Sequence, residues 1–358
     1  MQMEFAENVP LAPFTTLRIG GPARWFGEAA SETDVAEAVA FARDRRLPLF
    51  VLGGGSNLLV SDEGFPGMVL RVGLRGIGVV GQDNPTGKNI VSAGAGEPWD
   101  AFVALTVEQK HAGLECLSGI PGLVGATPAQ NVGAYGQEVS QSIHRVRAYD
   151  RRTLAYVSLG NAECGFDYRH SVFNSTERDR YIVSRVEYAL TPEGAPAVVY
   201  GDLKNHFEHV EPTLSDVRLA VLEIRARKGM VIVPGDRDSL SAGSFFKNPV
   251  AASAALPRIA AALQLPEEQI PHYPAGNQQV KLQAAWLIEK AGFRKGYTLG
   301  PVAISSRHTL AIVNTGEARA RDVIALRDQI VDAVNRRFGI RLEQEPIWLG
   351  EPLPRKGI

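Results

Sequence analysis

Cysteine is almost missing from this chain. Two thiols, Cys116 and Cys164, in 358 residues exclude a disulfide framework and a four-thiolate zinc site, and fit a reducing compartment. Long apolar runs are missing too. No stretch of 18 apolar residues occurs, and the N-terminus, Met-Gln-Met-Glu-Phe-Ala-Glu, has no basic segment followed by an apolar one. The chain therefore reads as cytoplasmic and soluble, with no membrane partner. An excess of either charge is also lacking. With 38 basic and 39 acidic residues, a net charge of −1, there is no basic field to hold a nucleic-acid backbone, so no nucleic-acid partner is expected. Apolar residues at 45% and charged ones at 22% exclude disorder over most of the length. The length allows two to three domains of roughly 150 residues each.

What is abundant is glycine, with 36 residues, about 10% against a typical value near 7%. The glycines sit between clear local elements. Ser31-Glu-Thr-Asp34 is a capping-box pattern, and Val35, Ala38, Val39 and Ala42 follow at helical spacing, predicting a helix over about 32–46. Pro48 stops it, Leu49-Phe-Val-Leu52 reads as a short buried strand, and Gly53-Gly-Gly-Ser-Asn57 comes directly after. A strand at Ile90 to Ala93 and a helix from Trp99 to His111 lead into residues 113–136, which hold six glycines and two prolines. No regular element survives that density for long. Strands are expected at Ile143 to Tyr149 and Tyr181 to Leu190, and an amphipathic helix from Leu214 to Lys228. A second irregular stretch, 229–249, ends in Ser241-Ala-Gly-Ser-Phe-Phe-Lys-Asn-Pro249. Beyond it come helices at about 253–263 and 282–291, a strand at Ala311 to Val313, a long helix over Ala318 to Phe338 and a last strand, Ile340 to Gly350.

A glycine run after a strand lets backbone amides approach a phosphate and form an anion nest. The first run is neither a Walker loop, since no Gly-Lys-Ser/Thr follows, nor a Rossmann fingerprint, since Leu58 stands at the third glycine position. On its own it is equally well a tight turn. The second loop is more informative, because irregular chain of that length in a compact domain usually wraps something. Its Ser118, Thr127, Gln130 and Asn131 alternate with small and apolar residues, a mixture suited to a large cofactor with a pyrophosphate and a flat ring. His206 and His209 share a helical spacing without a third ligand nearby, so they read as a polar face, and no metal site is expected.

Four motifs in order, Gly53-Gly-Gly-Ser-Asn57, Ile120-Pro-Gly-Leu-Val-Gly125 running through Gln130-Asn-Val-Gly-Ala-Tyr-Gly136, Tyr168-Arg169, and Ala242-Gly-Ser-Phe-Phe-Lys-Asn-Pro249, resemble the UDP-N-acetylenolpyruvoylglucosamine reductases. The resemblance covers most of the chain and ends at Glu345. It implies an α+β protein with an FAD-binding fold of the vanillyl-alcohol oxidase type in two lobes, 1–72 and 73–228. An α+β substrate-binding domain at 229–338 and a C-terminal strand at 339–358 returning to the active-site region would complete it. It implies non-covalent FAD, NADPH as reductant, and reduction of a UDP-sugar enolpyruvyl ether in cell-wall precursor synthesis. FAD would be held by Gly53, Gly54, Gly55, Ser56, Asn57 and Leu58 of the first loop. From the second loop it would meet Ser118, Gly119, Ile120, Pro121, Gly122, Gly125, Ala126, Thr127, Pro128, Asn131, Gly133, Ala134, Tyr135 and Gly136.

The implied reaction adds hydride to the terminal methylene carbon and leaves negative charge on the neighbouring carbon and its carboxylate. By the same resemblance Arg169 stabilises that charge, since a guanidinium grips a carboxylate bidentately and holds the enolate harder. Ser244 would then protonate the carbanion as general acid, and Glu345 would help stabilise the enolate, with Glu343 as a less favoured alternative. Pro346-Ile347 stands where Val-Arg often follows that Glu, so an arginine contact to flavin is not implied there. Tyr168, Tyr200, Lys228, Asn248, Tyr273 and His308 fall at substrate positions, with Tyr273 part of a lid and Tyr200 and Lys228 on the diphosphate. His308 departs from the Gln of some members. Lys228 is equally explained by a helix C-terminus. An FAD-dependent alcohol oxidase of the wider superfamily is one alternative, against which the 242–249 stretch argues. A non-catalytic sugar-nucleotide sensor is the other.

Overall fold

The computed structural model describes residues 3–208 and 210–351. His209, the start of the chain and the end of the expected C-terminal segment lie outside the described residues. The chain divides into two units: Met1–Val9, Ala23–Gly54 and Pro66–Arg227 form the first, and Pro10–Pro22, Gly55–Phe65 and Lys228–Ile358 the second.

In the first unit the capping box at Ser31 forms as the pattern predicts. The Ser31 hydroxyl accepts from Asp34 N–H at 3.2 Å, and the Asp34 carboxylate accepts from Ser31 N–H at 2.9 Å. The helix it starts, Glu32–Asp44, buries Val35, Ala38, Val39 and Ala42 against Met68, Leu70 and Val72. Those last three lie on Phe65–Val72, a strand of a four-stranded sheet that also contains Leu49–Leu52, paired parallel to it. A six-stranded sheet is centred on Tyr181–Pro192, whose residues alternate half-buried and buried along most of its length. Ile143–Asp150 and Lys88–Gly94 pair antiparallel on its two sides. Trp99–Glu108 packs Trp99, Phe102 and Val103 against Val186 and Tyr188 of that strand. This helix stops three residues short of His111, because Lys110 turns left-handed at φ 56° and His111–Ala112 pairs with Thr191 and Pro192.

The second unit is built around Ala320–Phe338, which buries Val323, Leu326, Ile330, Val334 and Phe338 in one cluster with Phe245, Phe246, Leu287 and Val302. Asp62 caps this helix, accepting from Ala320 N–H at 2.7 Å and Arg321 N–H at 3.2 Å. Two three-stranded antiparallel sheets and a parallel pair, Ile347–Leu349 on Leu58–Val60, make up its strands. The expected strand over Ile340 to Gly350 shrinks to those three residues. Before them, Glu343 to Glu345 run beside Phe245 to Lys247 through separate backbone bonds, and Pro346 has no N–H with which to continue a ladder. Among the described residues no helix is long and apolar enough to cross a membrane.

Candidate active site

The two glycine-rich stretches meet in the first unit. A Cβ on Gly54 would lie 2.5 Å from the Gly122 Cα, and one on Gly53 would lie 3.0 Å from Ala126 Cβ. Backbone approaches backbone here more closely than a side chain at Gly54 would allow. Neither Gly54 nor Gly122 donates its N–H to another described residue. A strip of half-buried backbone with amides left over suits the pyrophosphate of a dinucleotide cofactor, so the residues present fit FAD.

The polar side chains of the second loop hold the loop and the chain beside it. The buried Ser118 hydroxyl donates to Glu115 O at 2.7 Å, and the Thr127 hydroxyl donates to Val124 O at 2.8 Å. Asn131 donates to Glu138 at 2.8 Å and to Asp167 O at 3.1 Å, and accepts from Ser140 N–H at 3.1 Å. Gly119 N–H is held by Asp100 at 2.6 Å, itself gripped bidentately by Arg218. Ile120, Pro121 and Gly125 are half-buried, Pro128 is buried and Ala126 is exposed. Gly133-Ala134 pair with Gln137-Glu138, and the two residues between, Tyr135 and Gly136, both take left-handed φ, 51° and 82°. That is the geometry of a type I′ hairpin turn, which normally excludes an aromatic at its first position.

Arg169 is delivered onto this loop by a second tight turn. Asp167 and His170 exchange backbone hydrogen bonds at 3.0 Å each, leaving Tyr168 and Arg169 at the tip. Arg169 sits at φ 53°, strained for a non-glycine residue. Its guanidinium donates to Gly133 O at 2.9 Å, and Asn174 holds its carbonyl at 3.1 Å. Tyr168 is exposed beside it. Tyr200 precedes the short helix Gly201–His206 and meets Tyr135 edge-on at 5.7 Å.

In the second unit Ser244, Glu345 and Asn57 converge through backbone bonds. Phe245 donates its N–H to Leu310 O at 2.7 Å and its carbonyl accepts from Glu345 N–H at 2.9 Å; Asn57 Nδ2 donates to Glu345 O at 3.3 Å. The Ser244 hydroxyl bonds to no other described residue, and Gly243 before it has φ +71° with open space where a Cβ would stand. Glu343, the alternative to Glu345, is in an exposed ion pair with Lys247 at 2.7 Å. Ser56 is half-buried and Leu58 buried, with Gly55 opening the Gly55–Phe65 segment of this unit. Asn248 caps the helix Ala284–Lys290 by accepting from Ala284 N–H at 3.0 Å, and Tyr273 is exposed on a sheet strand, 3.5 Å from Gln283. Burial pushes the His308 ring down to about 4, helped by the charges of Lys228 and Lys295. The neutral ring accepts from Leu310 N–H at Nδ1, 3.0 Å, which leaves its proton on Nε2.

Sequence reasoning passed over the carboxylates that brace these loops, Asp100, Glu115 and Glu138. For Glu115 a signal was present: a lone carboxylate between Leu114 and Cys116 in an apolar run has to be satisfied if that run is buried.

Residues 25–152 match the model of the FAD binding domain. The protein is an FAD-dependent oxidoreductase with the α+β FAD-binding fold expected. Residues 236–349 match a second model, the C-terminal domain of UDP-N-acetylenolpyruvoylglucosamine reductase. The curated reductases of that name from Streptomyces avermitilis and Thermobifida fusca are each 46% identical, over 97% and 99% of this chain and 95% and 100% of theirs. The crystal structure of the Thermus caldophilus reductase superposes with a TM-score of 0.65 at 28% identity, covering 98% of this chain and 99% of that one. The chain belongs to the UDP-N-acetylenolpyruvoylglucosamine reductase family.

Proposed function

We propose that this chain reduces the enolpyruvyl ether of UDP-N-acetylglucosamine-enolpyruvate to UDP-N-acetylmuramate in the cytoplasm, with Arg169, Ser244 and Glu345 as its catalytic residues. When bound, FAD reduced by NADPH supplies the hydride that the methylene carbon receives. The new C–H bond turns the methylene into a methyl and sends the alkene electron pair to the carbon bearing the ether oxygen, delocalised into the carboxylate. Arg169 grips that carboxylate with a permanently charged fork, and its hold strengthens as the enolate forms. Ser244 gives its hydroxyl proton to the ether-bearing carbon and regains one from solvent. Glu345 stabilises the enolate from the segment whose backbone bonds to Phe245. Tyr168, Tyr200, Lys228, Asn248, Tyr273 and the Nε2–H of His308 bind the sugar nucleotide, with cations and hydroxyls on its diphosphate.

FAD is held chiefly by backbone in this reading. Gly53 and Gly54, Ile120 to Gly122, and Ala126 offer amides and small surfaces; Gly55 to Leu58 continue the first strip and Gly133 to Gly136 close the second. The braced side chains of Ser118, Thr127 and Asn131 fix the shape those amides take.

The observation that carries this reading is Arg169 seated on Gly133 of the glycine loop from a strained turn, 2.9 Å away. A visible spectrum followed by anaerobic additions tests it. The purified protein should be yellow, bleach with NADPH and recover its colour with the enolpyruvyl sugar nucleotide. Oxygen uptake with alcohols and no NADPH reaction would instead point to an oxidase, and colourless protein with intact nucleotide affinity to a sensor.

A further inference from the structure

Glu115 is 1% exposed and has a carboxylate with no cation paired to it among the described residues. Its charge is met by N–H groups alone. Gly113 N–H donates to Oε2 at 2.8 Å, Ala197 N–H to Oε1 at 2.8 Å, and Gln137 Nε2 to Oε1 at 3.2 Å. Gln137 also accepts from Cys116 N–H at 3.0 Å, and the Cys116 thiol donates to Ala197 O at 3.0 Å. Both backbone groups of Ala197 are thus tied to residues 115 and 116. One carboxylate joins the head of the glycine loop, the strand that closes its Tyr135-Gly136 turn, and the 195–200 segment.

Three residues beyond Ala197 stands Tyr200, 47% exposed, with its ring edge-on to Tyr135. Val199 crosses Gly136 so closely that a Cβ on the glycine would lie 2.5 Å from Val199 Cγ2. Ala197 and Val198 pack half-buried against Cys116, Leu203 and Val217, and Val199 and Tyr200 beyond them are exposed. The hydrogen bonds at Ala197 tie this packed corner to Glu115 and Cys116.

We infer that Glu115 is a positioning residue that sets Tyr200 against the Tyr135-Gly136 turn, and so sets the grip on the sugar nucleotide without touching flavin or substrate. The inference rests on the substrate-binding role proposed above for Tyr200. A carboxylate is needed because every polar neighbour on both of its oxygens is a donor. Glutamine must turn an NH2 group toward one of those donors and loses at least one bond.

The test compares Glu115→Gln, Tyr200→Ala and the double variant in the flavin-loaded enzyme, reading KM for the sugar nucleotide, flavin content and the rate of flavin reduction by NADPH. Glu115→Gln should raise KM about tenfold, a typical effect of one lost hydrogen bond to a charged group, while flavin content and reduction by NADPH stay as in the wild type. In the Tyr200→Ala background it should add nothing to KM, since the two changes act through one contact. A raised KM in Tyr200→Ala beside an unchanged KM in Glu115→Gln overturns the coupling alone, as does a full additive effect in the double variant. An unchanged KM in Tyr200→Ala overturns the role given to Tyr200 and the coupling with it. If Glu115→Gln fails to fold, Ala197→Pro deletes the same hydrogen bond from the donor side and is read against the same outcomes.

Discussion

The glycine loop of the first unit and the serine stretch of the second solve opposite problems. In residues 118–136 the hydroxyls and amides of Ser118, Thr127 and Asn131 turn inward and bond to the loop or to the chain beside it, so backbone is what the loop presents. In residues 241–249 the backbone is committed, with Phe245 bonded to Leu310 on one side and Glu345 on the other, and the Ser244 hydroxyl is left over. A site that must match an extended anionic cofactor benefits from a rigid row of amides. One that must move a proton needs an uncommitted side chain. Arg169 combines the two, since its guanidinium is aimed by a strained backbone and steadied on Gly133.

That contrast is open to direct attack. Ser244→Ala should slow flavin reoxidation by the sugar nucleotide by about 10²–10⁴-fold, the usual contribution of a general acid, and leave flavin reduction by NADPH unchanged in stopped-flow absorbance. If both half-reactions survive unchanged, the proton donor lies elsewhere. Arg169→Ala should cost about 10²–10³-fold in kcat, as for loss of one charge-stabilising donor, with flavin still bound; wild-type turnover would remove Arg169 from the chemistry.

The loop side of the comparison predicts sensitivity to backbone bulk. Gly54→Ala should weaken flavin binding by roughly 10- to 100-fold in a fluorescence titration, because its methyl meets Gly122 backbone, an overpacking cost of about 1–3 kcal/mol. Gly78→Ala, where no atom lies within 4 Å of the added methyl, should leave it unchanged. If the two variants behave alike, the contact between the glycine stretches does not shape the cofactor site. Ser118→Ala should lower stability by only about 1 kcal/mol, seen as a small fall in Tm, with kcat untouched. A large loss of kcat would mean that this hydroxyl faces the reaction after all.

A last prediction concerns pH. The His308 ring titrates near 4 in the folded protein against an ordinary 6.5. Between those values the unfolded chain takes up a proton that the folded ring refuses, so stability falls as pH drops from 6.5 toward 4. His308→Gln should flatten that part of the Tm-against-pH curve, and an unaltered slope would show that the ring is already charged in the fold.

Much of this was legible beforehand. The helix at Glu32 announced itself through Ser31 and Asp34, and the strand at Tyr181 through its alternation, because both signals are local. The site motifs were legible as strings, since Gly53 to Asn57, Tyr168-Arg169 and Ala242 to Pro249 are each contiguous. Their working parts were not. That Ser118 and Asn131 face inward, and that Glu343 is taken up by Lys247 while Glu345 lies beside Phe245, depends on partners up to about a hundred residues away. The last strand, expected over Ile340 to Gly350, is shorter in the fold because the missing Pro346 N–H acts only when a neighbour requires it.

By itself the sequence determined which segments become helix or strand, where glycine permits close backbone approach, and which family the motifs resemble, because spacing and side-chain size act within a few residues. Only the tertiary structure decided which polar atoms are consumed by bracing and which remain for chemistry. A hydrogen bond to a buried group depends on what long-range packing brings within 3 Å, and that is how one carboxylate, Glu115, comes to join residues 113, 137 and 197.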